Sequence, residues 1–284
     1  NRLLNLDDGK EVALQLIPIG IDLEQAIGPV PEVKPMELVM EPYSRREVEY
    51  PAMAEAHAAS SLVSPEHVRE LWGMPPSPAT PEIQGKLFPL SCPPAEDLPQ
   101  DTIEEVILRR GSSRRFRRSP ISYQQLSIML DRAARPIPAD FIERSDATLN
   151  QIYLIANGVD DLPSGSYVYH RDLGALEQLS EGDFREQAGR LDLGQELAAD
   201  ASVNIYFLTD LNAVLQRYGN RGYRMAQMEA SITAGRLYLA AYAQKLGATG
   251  LTFFDDEVTE FFSPHAEGKS VMFLLAVGRS GRRG

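Results

Sequence analysis

The stretch RRGSSRRF, residues 109–116, is the most informative part of the sequence. It follows a segment predicted to be helical from about Ile103, and it carries arginine, serine and arginine on alternate positions. Side chains alternate along extended backbone, so Arg110, Ser112 and Arg114 would point to one side. Two guanidinium groups and a hydroxyl suit a dianion, because arginine binds phosphate through paired, charge-assisted hydrogen bonds. The same residues also fit a solvated arginine run at a helix C-terminus, where the helix dipole favours cations.

This positive segment stands out against an acidic chain. The 284 residues have a net charge of −12, yet six arginines fall between positions 109 and 118. An acidic protein is a poor partner for nucleic acids, whose phosphate backbones need a basic surface. No apolar run is long enough to span a bilayer. The single cysteine, Cys92, excludes an intramolecular disulfide and fits a reducing compartment. We therefore expect a cytoplasmic protein with no nucleic-acid or membrane partner.

Proline divides the chain into two parts. Fifteen of the twenty prolines lie in the first 100 residues, where they disfavour helices and inner strands. We predict that residues 21–100 form a proline-rich linker or wrapping arm, with a short helix from about Ser64 to Leu71. Residues 101–284 form the main folded domain. The arm has apolar residues that could anchor it, namely Leu38, Val39, Met40, Trp72, Leu87, Phe88 and Leu90.

Regular helix and strand patterns begin after residue 100. Capping boxes are predicted at Thr102-x-x-Glu105 and Ser122-x-x-Gln125, each of which opens an amphipathic segment. Short apolar runs indicate strands at Leu149–Ala156, Tyr167–Tyr169, Val203–Leu208 and Ser270–Val277. Because short strands alternate with helices, we predict an α+β fold.

The strongest predicted helix spans about Tyr223 to Leu246 and is followed by Gly247. Its larger apolar residues recur at spacings of three and four, which places them on one face. We expect this face to lie in the core, and a second face rich in alanine to lie at a subunit or domain interface. The residues expected in the core are Met228, Ile232, Leu239 and Tyr242.

Arg110-x-Ser112-x-Arg114-x-Phe116 resembles the R-x-S-x-R-x-F/Y signature near the start of nitroreductase-family domains. The resemblance continues through residues 153–173, 218–224 and 247–256, where it is closest to the SagB-type dehydrogenase branch. It covers residues 101–279 in the expected order. Residues 1–20 also resemble the last strand of such a domain, which suggests the tail of a preceding nitroreductase-like domain in a tandem protein.

The resemblance implies a nitroreductase-like fold with a central, mainly antiparallel sheet flanked by helices and an extended N-terminal arm. It also implies that the chain binds FMN. The segment with Arg110, Gly111, Ser112 and Arg114 would hold the phosphate, ribityl and pyrimidine parts of the flavin. Thr249, Gly250 and Leu251 would lie beside its reactive edge, where glycine lets backbone approach a ring closely. Arg279 would be a second phosphate ligand.

Two positions depart from the family pattern. Asp146 stands where the family usually has a small residue, and a carboxylate there would disfavour an anionic reduced flavin. Some azoline-oxidising relatives have a catalytic Lys-Tyr pair, whereas this chain has Arg217-Tyr218. Arginine stays protonated and is a poor general base, so Tyr218 is the remaining candidate catalytic side chain. The four scattered histidines and single cysteine predict no metal site.

We expect an FMN-dependent oxidoreductase that transfers hydride through bound FMN, to or from a small organic or peptide-derived substrate. NAD(P)H is a candidate electron donor. The alternative is a non-catalytic, degenerate nitroreductase-fold module that serves as a partner-binding or scaffold half. In either case we expect a homodimer, or a pseudo-dimer with a preceding homologous domain.

Overall fold

The computed structural model describes residues 2–7, 10–15, 17, 19, 34–37, 46, 48–62, 64–72, 83–142 and 147–281. The chain divides into two compact units, Asn1–Ala59 and Ser60–Gly284. The described elements of the first unit are a 3-10 turn, Arg2–Leu4, and helix α1, Pro51–Ala59, which has no buried side chain. All further elements belong to the second unit. None of the described helices is long and apolar enough to cross a membrane.

The second unit is built on an antiparallel sheet. The described strands are β1 (Leu87–Pro89), β2 (Phe116–Arg117), β3 (Ile121–Ser122), β4 (Asn150–Ala156), β5 (Val159–Asp160), β6 (Gly165–His170), β7 (Ala175–Glu181), β8 (Val203–Thr209), β9 (Gly247–Gly250) and β10 (Ser270–Ser280). Eight of these strands form one sheet in the order β1-β7-β6-β4-β8-β10-β2, and β9 also pairs with β10. β3 and β5 form a separate parallel pair. The predicted α+β fold with a mainly antiparallel sheet is confirmed.

Helices cover both faces of this sheet. The described helices of the second unit are α2 (Pro65–Glu70), α3 (Ile103–Arg109), α4 (Tyr123–Ala133), α5 (Arg185–Leu191), α6 (Glu196–Asp200), α7 (Leu211–Tyr218), α8 (Arg221–Ala243) and α9 (Asp255–Phe261). Both predicted capping boxes form, at Thr102 before α3 and at Ser122 before α4. The predicted short helix also forms as α2, with Ser64 as its N-cap.

Two apolar cores lie on opposite faces of the sheet. Alternate residues of β4 enter different cores: Ile152 and Leu154 pack with α4 and α8, whereas Tyr153 and Ile155 pack with α5 and α9. This division follows from the strand geometry, since successive side chains point to opposite faces. The sheet is therefore buried from both sides over its central strands.

The buried face of α8 is the opposite of the predicted one. Ala226, Ala230 and Ala234 are almost completely buried against the sheet, while Met228 and Ile232 remain 45% and 41% exposed. Leu239 and Tyr242 are only partly buried. The prediction for this helix was wrong because the alanine-rich face is the one that packs against the sheet, where small side chains let the helix lie close to the strands.

The last part of the predicted arm belongs to the sheet. β1 forms an edge of the sheet and pairs with β7, whose buried Glu177 carboxylate joins the residues before β1 to β6. One oxygen accepts the N–H groups of Gln84 and Gly85, each at 2.8 Å, and the other lies 2.7 Å from His170 Nε2. Burial raises the pKa of this carboxyl, but these hydrogen bonds outweigh burial and the pKa is lowered. Leu38, Val39 and Met40 lie outside the described residues.

Ala230→Leu should destabilise the protein by about 1–3 kcal/mol, because the extra atoms have no space between α8 and the sheet. Urea unfolding followed by circular dichroism measures this change. Met228→Leu is the matched control, since it places the same side chain on the exposed face of the same helix and conserves volume. Equal stability for the two variants would contradict this packing of α8.

Candidate functional site

The segment that leaves α3 is fastened to the end of α8. The Arg109 guanidinium donates to the Asp101 carboxylate at 2.6 Å and to the Tyr242 carbonyl at 2.9 Å. Lys245 also pairs with Asp101. Hydrogen bonds from Lys245 and Arg109 lower the pKa of the Asp101 carboxyl. This network fixes the point from which the predicted cofactor-binding segment starts.

Arg110 and Ser112 both contact Tyr238, a residue of α8. The guanidinium carbon of Arg110 lies 5.3 Å from the centroid of the Tyr238 ring, within the range of a cation–π contact. The Tyr238 hydroxyl donates to Ser112 Oγ at 3.0 Å. Tyr242, one helical turn further along, stacks on Tyr238 with ring centroids 6.2 Å apart and planes 8° apart. Two of the three side chains predicted to bind the flavin are therefore held by one tyrosine.

Ser113 joins this segment to β9. Its N–H donates to the Ala248 carbonyl at 2.9 Å, and its hydroxyl lies 2.8 Å from that of Ser280 on β10. A Cβ on Gly247 would overlap the hydroxyl oxygens of both serines. Glycine at this position is thus required by the close approach of three chain segments.

The structure brings the two predicted cofactor-binding segments together. Arg110, Gly111, Ser112 and Arg114 are exposed, next to the strand that carries Thr249 and Gly250. Thr249 is buried, whereas Gly250 is exposed at the end of β9. Leu251 continues the pairing, since its N–H donates to the Leu274 carbonyl at 3.3 Å. The exposed basic segment therefore lies beside β9, of which Gly250 is exposed.

Arg279 is not part of this group in the structure. It precedes Ser280 on β10, and neighbouring side chains on a strand point to opposite faces. Its Nε donates to the Pro120 carbonyl at 2.9 Å, away from the contact between Ser280 and Ser113. Its role as a phosphate ligand stays a prediction.

The arginine run has more positive charge than the carboxylates of the described residues neutralise through ion pairs. Arg109 pairs with Asp101, and Arg118 pairs with Asp200 at 2.6 Å. Among the described residues, no carboxylate forms an ion pair with the other arginines of the run, which are Arg110, Arg114, Arg115 and Arg117. An anion that binds here would meet uncompensated guanidinium groups and the Ser112 hydroxyl, which is the donor set that suits phosphate.

Tyr218, the candidate catalytic residue, lies apart from these groups in the apolar core. Its hydroxyl donates to the Phe141 carbonyl at 3.0 Å, and its ring packs edge-to-face on Phe141. Burial raises the pKa of this tyrosine. Its hydroxyl is therefore committed to the backbone. Asp146 lies outside the described residues. Within the described ranges, no three histidine, cysteine, aspartate or glutamate side chains form a metal site.

Sequence reasoning did not identify Tyr238, Tyr242 or Ser113 as part of the site. The two tyrosines stand four residues apart on a helix, which indicates that they are neighbours. Nothing local connects them to Ser112, which is 126 positions from Tyr238 along the chain. Only the packing of α3 beside α8 brings these residues together.

Comparison with known proteins gives the family. The sequence model of the nitroreductase family matches residues 107–279. A protein of Methanocaldococcus jannaschii, named after that family, is 24% identical over 193 residues, which are 64% of this chain and 93% of that protein.

Two solved structures share the fold. A protein of Anabaena variabilis, also named after the nitroreductases, superposes with a TM-score of 0.66 at 23% identity over 85% of this chain. This chain spans half the length of the Anabaena chain, 50% of it being covered. A chain of the Escherichia coli microcin synthetase complex McbBCD superposes with a TM-score of 0.52 at 16% identity, over 80% of this chain and 86% of that one. With more than half of its residues matched by the family's sequence model, this chain belongs to the nitroreductase family.

Proposed function

We propose that this chain is an FMN-dependent oxidoreductase and that the segment 110–114 holds the flavin phosphate. The observation that carries the proposal is the group of exposed arginines without carboxylate partners in the described structure, beside Ser112 and the edge of β9. A phosphate dianion would satisfy these donors. Arginine binds such an anion through paired, charge-assisted hydrogen bonds.

Different residues of the chain would contact different parts of the flavin. Arg110 and Ser112 would take the phosphate, and Arg114 would reach the polar parts of the flavin that extend from it. Thr249, Gly250 and Leu251 would present backbone to the ring, and the exposed Gly250 has no side chain to hinder a flat ligand. Bound FMN supplies the redox chemistry itself, while the protein supplies orientation and electrostatics.

We place the chain in the SagB-type branch, with a small organic or peptide-derived substrate and NAD(P)H as a candidate donor. The support is the sequence resemblance over residues 218–224 and 247–256. The fold likeness to the E. coli complex agrees with it, since that structure is described with truncated pro-MccB17 bound.

A non-catalytic scaffold half is the second candidate. It is favoured by the position of Tyr218, whose hydroxyl is buried and bonded to the Phe141 carbonyl. Its neighbour Arg217 lies over the Tyr218 ring and donates to the Trp72 carbonyl at 3.0 Å. A pair committed in this way is not available for acid–base chemistry. Flavin binding without turnover of any donor would support this candidate.

We also propose that α8 and the neighbouring α3 dock against a second nitroreductase-like domain. Several apolar side chains of these helices are exposed, namely Ile103, Ile107, Leu108, Tyr223, Met228 and Ile232. Exposed apolar side chains on two neighbouring helices favour an interaction site. The partner would be a second copy of this chain or a preceding homologous domain. The greater length of the Anabaena chain, of which 50% is covered, agrees with the latter arrangement.

Arg110→Ala should weaken FMN binding by about 1.5–3 kcal/mol, the cost of losing a hydrogen bond to a charged group. Quenching of flavin fluorescence during titration of the apoprotein measures this loss. Arg118→Ala is the matched control, because Arg118 belongs to the same run but is paired with Asp200. Apoprotein that takes up no FMN would rule out the proposed function, and equal losses for both variants would rule out the assigned site.

Ile232→Arg should shift the protein toward monomers, because a charged side chain would be placed in the apolar contact. Light scattering coupled to size exclusion gives the mass. Leu173→Arg serves as control, since Leu173 is a similarly exposed residue, at 48%, on the turn between β6 and β7. A wild-type monomer that binds FMN stoichiometrically would refute the homodimer.

A further inference from the structure

We propose that Tyr238 is a positioning residue that holds Arg110 and Ser112 in the arrangement needed to bind phosphate. The proposal rests on the FMN function proposed above and adds a residue that the signature motif does not contain. It is carried by two contacts that Tyr238 makes at once, one through its ring and one through its hydroxyl.

The hydroxyl contact orients the Ser112 side chain. Tyr238 donates to Ser112 Oγ at 3.0 Å, so the serine oxygen acts as acceptor in this bond. A serine hydroxyl has one hydrogen to donate, and here that hydrogen remains available for an incoming anion. Accepting one hydrogen bond also polarises the hydroxyl and strengthens the bond that it donates. Tyr238 thus makes Ser112 a better phosphate donor.

The ring contact places Arg110. Its guanidinium carbon lies 5.3 Å from the Tyr238 centroid, and no carboxylate in the described structure forms an ion pair with Arg110. The aromatic face attracts the cation without neutralising it. An ion pair would hold the side chain equally well, but it would compete with a bound phosphate. The Tyr238 ring therefore holds the Arg110 guanidinium in place and leaves its charge available to a phosphate.

Tyr238 is itself supported by packed residues of α8. Tyr242 stacks parallel to it, and the Tyr242 hydroxyl lies 3.5 Å from Ser113 Oγ. Leu237 and Ala241, the neighbours of the two tyrosines on α8, are fully buried. Binding groups supported by a packed helix lose less freedom when a ligand binds than groups on a loop alone. The two tyrosines give an exposed segment this kind of support.

The test measures FMN and riboflavin binding to apoprotein of the wild type, Tyr238→Phe and Tyr238→Leu. Riboflavin lacks the phosphate and otherwise presents the same ring and ribityl chain. Tyr238→Phe should raise the dissociation constant for FMN about fivefold, the value of one hydrogen bond. Tyr238→Leu should raise it about twentyfold, because the cation–π contact is lost as well. Riboflavin binding should change by less than about twofold in both variants.

Tyr223→Phe is the matched control, since Tyr223 is an exposed tyrosine of the same helix whose hydroxyl accepts a hydrogen bond from Gln227 at 3.2 Å, and the change should leave FMN binding within about twofold. The thermal melting of each apoprotein shows whether a variant is folded, and Tyr238→Phe keeps the test decisive if Tyr238→Leu is not. Unchanged FMN binding by Tyr238→Phe overturns the inference alone. Parallel losses of FMN and riboflavin also overturn it, because they show a general structural effect. A wild type that binds no FMN overturns the proposed function and the inference together.

Discussion

The close packing of α8 on the sheet is the constraint on which the site depends. Ala226, Ala230 and Ala234 bring the helix backbone near the strands, and the buried Glu229 carboxylate on the same face accepts the N–H groups of Leu149 and Asn150 at the start of β4. The helix therefore packs closely against β9 and β10. Its last turns hold Tyr238 and Tyr242 beside the segment that leaves α3. The alanine face of α8 thus sets the position of the side chains proposed to bind the flavin.

A glycine of the sheet likewise permits a close contact between chain segments. Gly247 lets Ser113 and Ser280 meet at 2.8 Å, where any side chain would push them apart. This contact attaches the arginine segment to the edge of the sheet, while the tyrosines attach it to the helix. Residues 110–114, of which Ser113 is buried and the others are exposed, are consequently held at two points.

Local signals made part of the fold predictable. Thr102 and Ser122 define helix starts by their own spacing to a glutamate and a glutamine, and both caps form. α8 was harder because both of its faces are apolar, and periodicity alone cannot tell which one is buried. The pairing of β7 with β1 was not predicted, because β7 contains the buried carboxylate of Glu177 and a buried charge in a strand is rare. The contact of Tyr238 with Ser112 depends wholly on tertiary packing, so the sequence predicted roles for the arginines and the serine but gave no sign of the tyrosine that contacts them.

The ion-pair network at Asp101 has a consequence for behaviour in salt. Arg109 and Asp101 are about one-third exposed, at 35% and 30% of their side-chain surface, and such pairs weaken as ionic strength rises. Arg110 is the next residue, so the anchoring of the binding segment becomes looser under the same conditions that screen its attraction for an anion. Flavin affinity would then decline with ionic strength more steeply than the charges in direct contact with the phosphate account for.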